Sequence, residues 1–132
     1  MPEETPFKPT AAVHAPIDYG GNHVILQLGP KVYAAYAHLQ PGSIAVKQGD
    51  SVKAGDRIGK LGNAGNSTAP HLHFGLLDRP DFFAGRSLPF VFDSFTYAGT
   101  VAGNDPNTLR ITGTPRAVQS AYPLYLGIQD FP

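Results

Sequence analysis

The stretch APHLHFG, residues 69–75, places two imidazoles, His71 and His73, two positions apart in an apolar run. On a strand, alternate side chains share a face. His71 and His73 would then point one way, and Leu72, Phe74 and Leu76 the other. At that spacing the two Cβ atoms lie about 6–7 Å apart. Two such rings can converge on one ion, or one can bind a metal while its neighbour handles a proton. A His-x-His pair also serves as two hydrogen-bonded structural histidines, so the weight falls on what accompanies it. His38 ends a second strand candidate, YAAYAHL, and would complete an acid–base constellation if aimed at the same cleft. His23 starts a strand beside Asn22 and reads as structural.

The elements that must position these residues are short. HVILQLG, from His23, is aliphatic and ends at Gly29-Pro30; KVYAAYAHL follows as its hairpin partner. Alternation along the second strand groups Val32, Ala34, Tyr36 and His38 against Tyr33, Ala35, Ala37 and Leu39. Residues 46–59 carry an internal echo, VKQGD then VKAGD, with Gly49 and Gly55 six residues apart. The pattern predicts short strands joined by tight glycine turns. GNAGNSTAP (62–70) is a loop, HLHFGLL a strand with Leu72 and Phe74 in the core beside Val24, Leu26 and Ile58, and DRPDFFAGRS another loop. LPFVFDSFTYAGTV is an aromatic strand, TLRITG one further strand, and the rest of residues 103–132 irregular. No segment predicts a helix.

The totals agree with a mainly β chain. The 132 residues include 15 glycines and 13 prolines, a composition suited to turns and short strands. Ten basic residues balance ten acidic ones, so no basic patch points to nucleic acid. The absence of cysteine excludes disulfides and thiolate metal sites. No stretch is long and apolar enough for a membrane-spanning helix. The start, MPEETPFKPT, lacks the basic and apolar regions of a signal peptide.

Three motifs in order, Y-x-H-L at 36–39, the doubled V-K-x-G-D at 46–56 followed by R-I-G, and G-N-S-T-A-P-H-L-H-F at 65–74, resemble the lysostaphin-type (LytM-like) zinc metalloendopeptidases. The likeness covers about residues 21–77. It implies a compact antiparallel β-sheet or barrel-sandwich fold with a groove over the sheet. It also implies zinc held by a histidine and an aspartate of an upstream H-x-x-x-D motif, plus the second histidine of H-x-H. By that resemblance His73 is the zinc ligand, while His38 and His71 are the catalytic histidines that manage the proton of a zinc-activated water and the developing oxyanion. The implied substrates are peptides of bacterial peptidoglycan, and the implied location is extracytoplasmic: periplasmic, cell wall or secreted.

Residues 1–20 read as a Pro-rich arm, 21–99 as the peptidase-like β domain and 100–132 as a C-terminal extension. One string, HAPID, fits the upstream motif and makes His14 and Asp18 candidate ligands. If residues 14–18 were extended, their ends would lie about 13 Å apart, and Asp18 stands only four residues before Asn22. The expectation is therefore that the chain starts inside the domain and that the two other ligands lie upstream in a longer parent. Gly75 also stands where the family often has glutamate. Two alternatives accompany the enzyme reading. One is a degenerate, non-catalytic member that docks to the wall or to a partner. The other is a carrier-type barrel-sandwich domain, suggested by the V-x-x-G-D echo, although Lys60 lacks the tip motif that a lipoyl or biotinyl carrier needs.

Overall fold

A computed structural model describes residues 19–103, 108, 110–123 and 127–131. The chain forms two compact units, Met1–Leu88 and Pro89–Pro132. The first holds strands β1 (Asn22–Gly29), β2 (Val32–Leu39), β3 (His73–Leu77) and β4 (Ser87–Leu88) in one antiparallel sheet of order β1-β2-β3-β4. The expected hairpin is present. Gly29 pairs with Val32 across a turn in which Lys31 takes φ 58°.

Strand β2 is central, and small side chains let its neighbours approach. Ala34, Ala35 and Ala37 are buried with Ala64, Val24, Leu39 and Leu77. The regular alternation expected along β2 fails at its end. Val24 pairs with Tyr36 but Asn22 with Leu39, so Ala37 and His38 together oppose His23. The extra residue is a β-bulge, and His38 sits in it at φ 61°. His38 therefore does not continue the face of Ala34 and Tyr36. Leu72 is the other departure: it is 45% exposed, because β3 starts at His73 and His71 forms only an isolated bridge with Gly62. Sheet alternation does not reach Leu72. Of the other expected core residues, Val24 is buried, while Leu26, Ile58 and Phe74 are half-buried.

The VKQGD and VKAGD repeats form two matching turns rather than strands. In the first, Lys47 N donates to Asp50 Oδ2 (2.8 Å) and Asp50 N returns a bond to Lys47 O (3.1 Å). In the second, Lys53 N donates to Asp56 Oδ2 (3.0 Å) and Asp56 N to Lys53 O (3.1 Å). Gly49 and Gly55 take φ values of 92° and 91°, which explains the glycine at each position.

In the second unit, β5 (Phe92–Ala102) pairs antiparallel with β6 (Arg110–Thr112), β7 (Arg116–Ala121) and β8 (Gly127–Asp130). Strand β5 runs across residues 99 and 100, where sequence placed a domain boundary. Strand β6 is the expected TLRITG element. Strands β7 and β8 replace the irregular chain expected there. RAVQSA, the sequence of β7, has no apolar alternation, and it pairs through its backbone from Phe92↔Ala121 to Tyr97↔Arg116. Phe95 is the buried ring among the described residues of this unit.

Candidate active site

The bulge at the end of β2 fixes His38. Its backbone N donates to Gly20 O at 2.8 Å, and its Nδ1 lies 2.6 Å from Ala64 O. The ring is 2% exposed. A non-glycine residue in the left-handed region carries a cost, which the bulge and these two bonds hold in place. The loop of residues 62–70 can come this close because Gly21 has no side chain. A Cβ there would lie 2.3 Å from Ala64 C and 2.4 Å from Gly65 N, and its φ is 56°. The backbone of residues 19–21 is thus locked between β2 and the loop, with Asn66 N donating to Tyr19 O at 3.1 Å.

His38, His71 and His73 meet at this point. The ring of His38 lies 4.8 Å from that of His71 and 5.5 Å from that of His73, centroid to centroid. Tyr19 and Phe82 stand edge-on to His73, each at 6.2 Å. Desolvation in this setting pushes His73 below the ordinary histidine range, and the proximity of His71 adds to the shift. Burial likewise lowers His38. Its bond to Ala64 opposes the shift, while His71 and His73 reinforce it. His38 and His73 therefore favour the neutral imidazole.

The carbonyl partners define the tautomers. A carbonyl oxygen only accepts, so the 2.6 Å contact to Ala64 O requires a proton on His38 Nδ1. The 2.8 Å contact between His71 Nδ1 and Ala69 O requires the same of His71. A neutral ring bonded in this way keeps its Nε2 lone pair available to accept a proton. His23 bonds its own neighbour, Gly21 O, at 2.8 Å and packs edge-on to Phe82, in keeping with its structural reading.

His73 is suited to a metal: it is half-buried, favours the neutral form, and its ring has no hydrogen bond to a described residue. The described residues go no further. Among them, no three His, Cys, Asp or Glu side chains are grouped so as to hold an ion. A site with three protein ligands would draw on residues outside them, where His14 and Asp18 lie. The sequence reading overlooked Tyr19, Phe82 and the carbonyls of the 62–70 loop. The pair Phe82-Phe83 in an otherwise polar loop was the available signal for an aromatic wall. Backbone acceptors leave no signal in side-chain identity.

Residues 10–82 match the model of peptidase family M23. The peptidoglycan DD-endopeptidase ShyA of Vibrio cholerae is 46% identical over 61 residues, which is 46% of this chain and 14% of that protein. An uncharacterized metalloprotease of Buchnera aphidicola is 46% identical over 54 residues, 41% of this chain and 14% of its own length. Lysostaphin of Staphylococcus simulans is 50% identical over 56 residues, 42% of this chain and 11% of lysostaphin. The shared stretch is thus a small part of each relative. No solved structure matches the chain.

Proposed function

The chain belongs to peptidase family M23, and from that membership we propose that it carries the histidine cluster of a zinc-dependent endopeptidase site acting on peptides of bacterial peptidoglycan outside the cytoplasm. The observation that carries this reading is the meeting of three histidine rings, His38 with His71 at 4.8 Å and with His73 at 5.5 Å. The names of the relatives support the substrate class: one is a peptidoglycan DD-endopeptidase and another a metalloprotease.

His73 is the metal ligand in this reading, and zinc, when bound, supplies Lewis acidity toward a scissile carbonyl and makes water acidic enough to ionise near neutral pH. His38 and His71 handle protons. Each holds its own proton on Nδ1, against Ala64 O and Ala69 O, and each offers Nε2 to the reaction. Their rings are close enough to act on the same substrate group. His38, deep and neutral, is suited to donate or accept a hydrogen bond without carrying charge, while His71, the exposed member, is suited to exchange its proton with solvent.

The test is hydrolysis of peptidoglycan peptides with zinc present, compared with a chelated control. His71→Ala should lower turnover by about 10²–10⁴, the range for loss of a general acid–base group. Unchanged turnover would remove His71 from the reaction. Zinc titration locates the ligands. We expect weak binding, reduced by His73→Ala and indifferent to His14→Ala. Tight one-to-one binding lost in both His14→Ala and His73→Ala would make HAPID part of the site.

A second reading is a non-catalytic wall- or partner-binding module. A zinc content near zero, with retained binding to peptidoglycan, would select that reading.

A further inference from the structure

Ser67 is nearly fully buried, four residues before His71, in the loop that also holds His38. Its hydroxyl lies 2.6 Å from Asn63 Oδ1, 2.8 Å from Ala69 O and 3.2 Å from His71 Nδ1. A hydroxyl has one proton, and Asn63 Oδ1 and Ala69 O both stand as its acceptors, Asn63 Oδ1 at the shorter distance. Its lone pairs then face the Nδ1 proton of His71, which Ala69 O also accepts at 2.8 Å. Asn63 Oδ1 and Ala69 O both draw the hydroxyl proton away from the ring, so the serine oxygen stands beside Ala69 O as a second acceptor for His71 Nδ1–H, and the lone pair on His71 Nε2 is left at the other end.

We propose that Ser67, oriented by Asn63, is a positioning residue that acts together with Ala69 O to hold His71 in its Nδ1–H tautomer with Nε2 unprotonated. The consequence for catalysis rests on the peptidase reading above; the tautomer itself does not. Burial of a residue as small and polar as serine in the loop GNAGNSTAP has no packing rationale, since alanine would fill nearly the same space. The hydroxyl is what the position uses. The same loop holds His38 through Ala64 O, so residues 63–69 set the proton on both rings of the pair. Asn63 enters only through Ser67, because its oxygen accepts the hydroxyl proton and so turns the serine lone pairs toward the ring.

The experiment is long-range ¹H–¹⁵N correlation of the histidine rings in the full chain, unliganded and at a pH where His71 is neutral. The expected result is a protonated Nδ1 and a bare Nε2 at His71. Ser67→Ala should raise the population of the Nε2–H form several-fold, and Ser67→Thr, which keeps the hydroxyl, should restore the native pattern. Asn63→Ala, which leaves the serine in place with Ala69 O as the acceptor of its proton, should shift the ratio in the same direction by less than Ser67→Ala and provides the readout if the threonine does not fit. A native His71 found as Nε2–H, or an unchanged tautomer ratio in both Ser67→Ala and Asn63→Ala, would overturn the proposal. Turnover measured in parallel separates the two readings. A shifted tautomer with turnover down about tenfold supports both. A shifted tautomer in a protein that cleaves no peptide under any condition retains the positioning role and overturns the peptidase reading.

Discussion

The two units use the same antiparallel pairing for different ends. In the second, β5 is organised by rings. Phe92 packs on Phe131 at 4.7 Å, Phe95 on Phe131 at 5.6 Å, and Phe90 on Tyr122 at 5.2 Å, with Arg116 4.2 Å over the Tyr97 ring. In the first, the core of the sheet is mostly alanine, and its most buried large side chain is a histidine. Cohesion there comes from close backbone approach and from hydrogen bonds to loop carbonyls. The difference teaches where chemistry can be placed. Apolar rings hold a sheet without fixing any polar group, whereas a small-residue core brings carbonyls close enough to fix imidazole protons. The cost is sensitivity to any added atom.

The comparison predicts how each unit fails. Phe95→Ala should destabilise the second unit by about 3–5 kcal/mol, the loss for a buried ring, as read by denaturant unfolding. A cost below about 1 kcal/mol would show that the aromatic cluster is not the source of cohesion. Gly21→Ala should cost about 3 kcal/mol or more in the first unit, combining a backbone collision with a left-handed φ. Gly75→Ala, where an added Cβ meets nothing within 4 Å, is its control and should change stability little. Equal costs at the two glycines would refute the close-approach account.

Smaller effects sharpen the contrast at the histidines. His71→Ala should cost less than about 1 kcal/mol of stability, since that side chain is exposed. Loss of cooperative folding in this variant would make His71 structural. The pH dependence has a defined sign. Burial depresses His38 and His73, so below the ordinary histidine value, about 6.5, the unfolded chain takes up protons that the folded one refuses. The contribution of these groups is present above that value and is lost as pH falls through their lower folded values. Metal-free protein should thus unfold more readily as pH drops from 7 toward 5. His38→Gln should flatten that slope. A slope that stayed the same would assign it to other groups.

Sequence carried the β1–β2 hairpin, the turns at Gly49 and Gly55, and the aromatic character of β5, because local pattern decides each of them. It also carried His38, His71 and His73 as the residues to watch, through spacing and family resemblance. It missed how they meet. Strict alternation placed His38 on the face of Tyr36, and only the bulge, a long-range matter of register between β1 and β2, turns it. It placed Leu72 in the core because HLHFGLL reads as one strand, whereas the bridge between His71 and Gly62 delays β3 to His73. Strand β7 escaped notice because its partner supplies what its own sequence lacks. Ser67 looked like any serine in a glycine-rich loop until its three contacts were seen.

The paired turns at residues 47–50 and 53–56 also bear on the order in which the first unit assembles. Each closes on itself within four residues, so each forms on the nanosecond-to-microsecond scale without help from the rest of the chain. The bond from His38 to Ala64 spans 26 residues. By the logarithmic dependence on loop length, closing that span costs about 2 kcal/mol more entropy than closing a turn. The turns between them shorten the search by folding the intervening chain back before the two ends meet. Slowing them, by replacing Gly49 and Gly55 with residues that resist positive φ, should slow refolding of the whole unit.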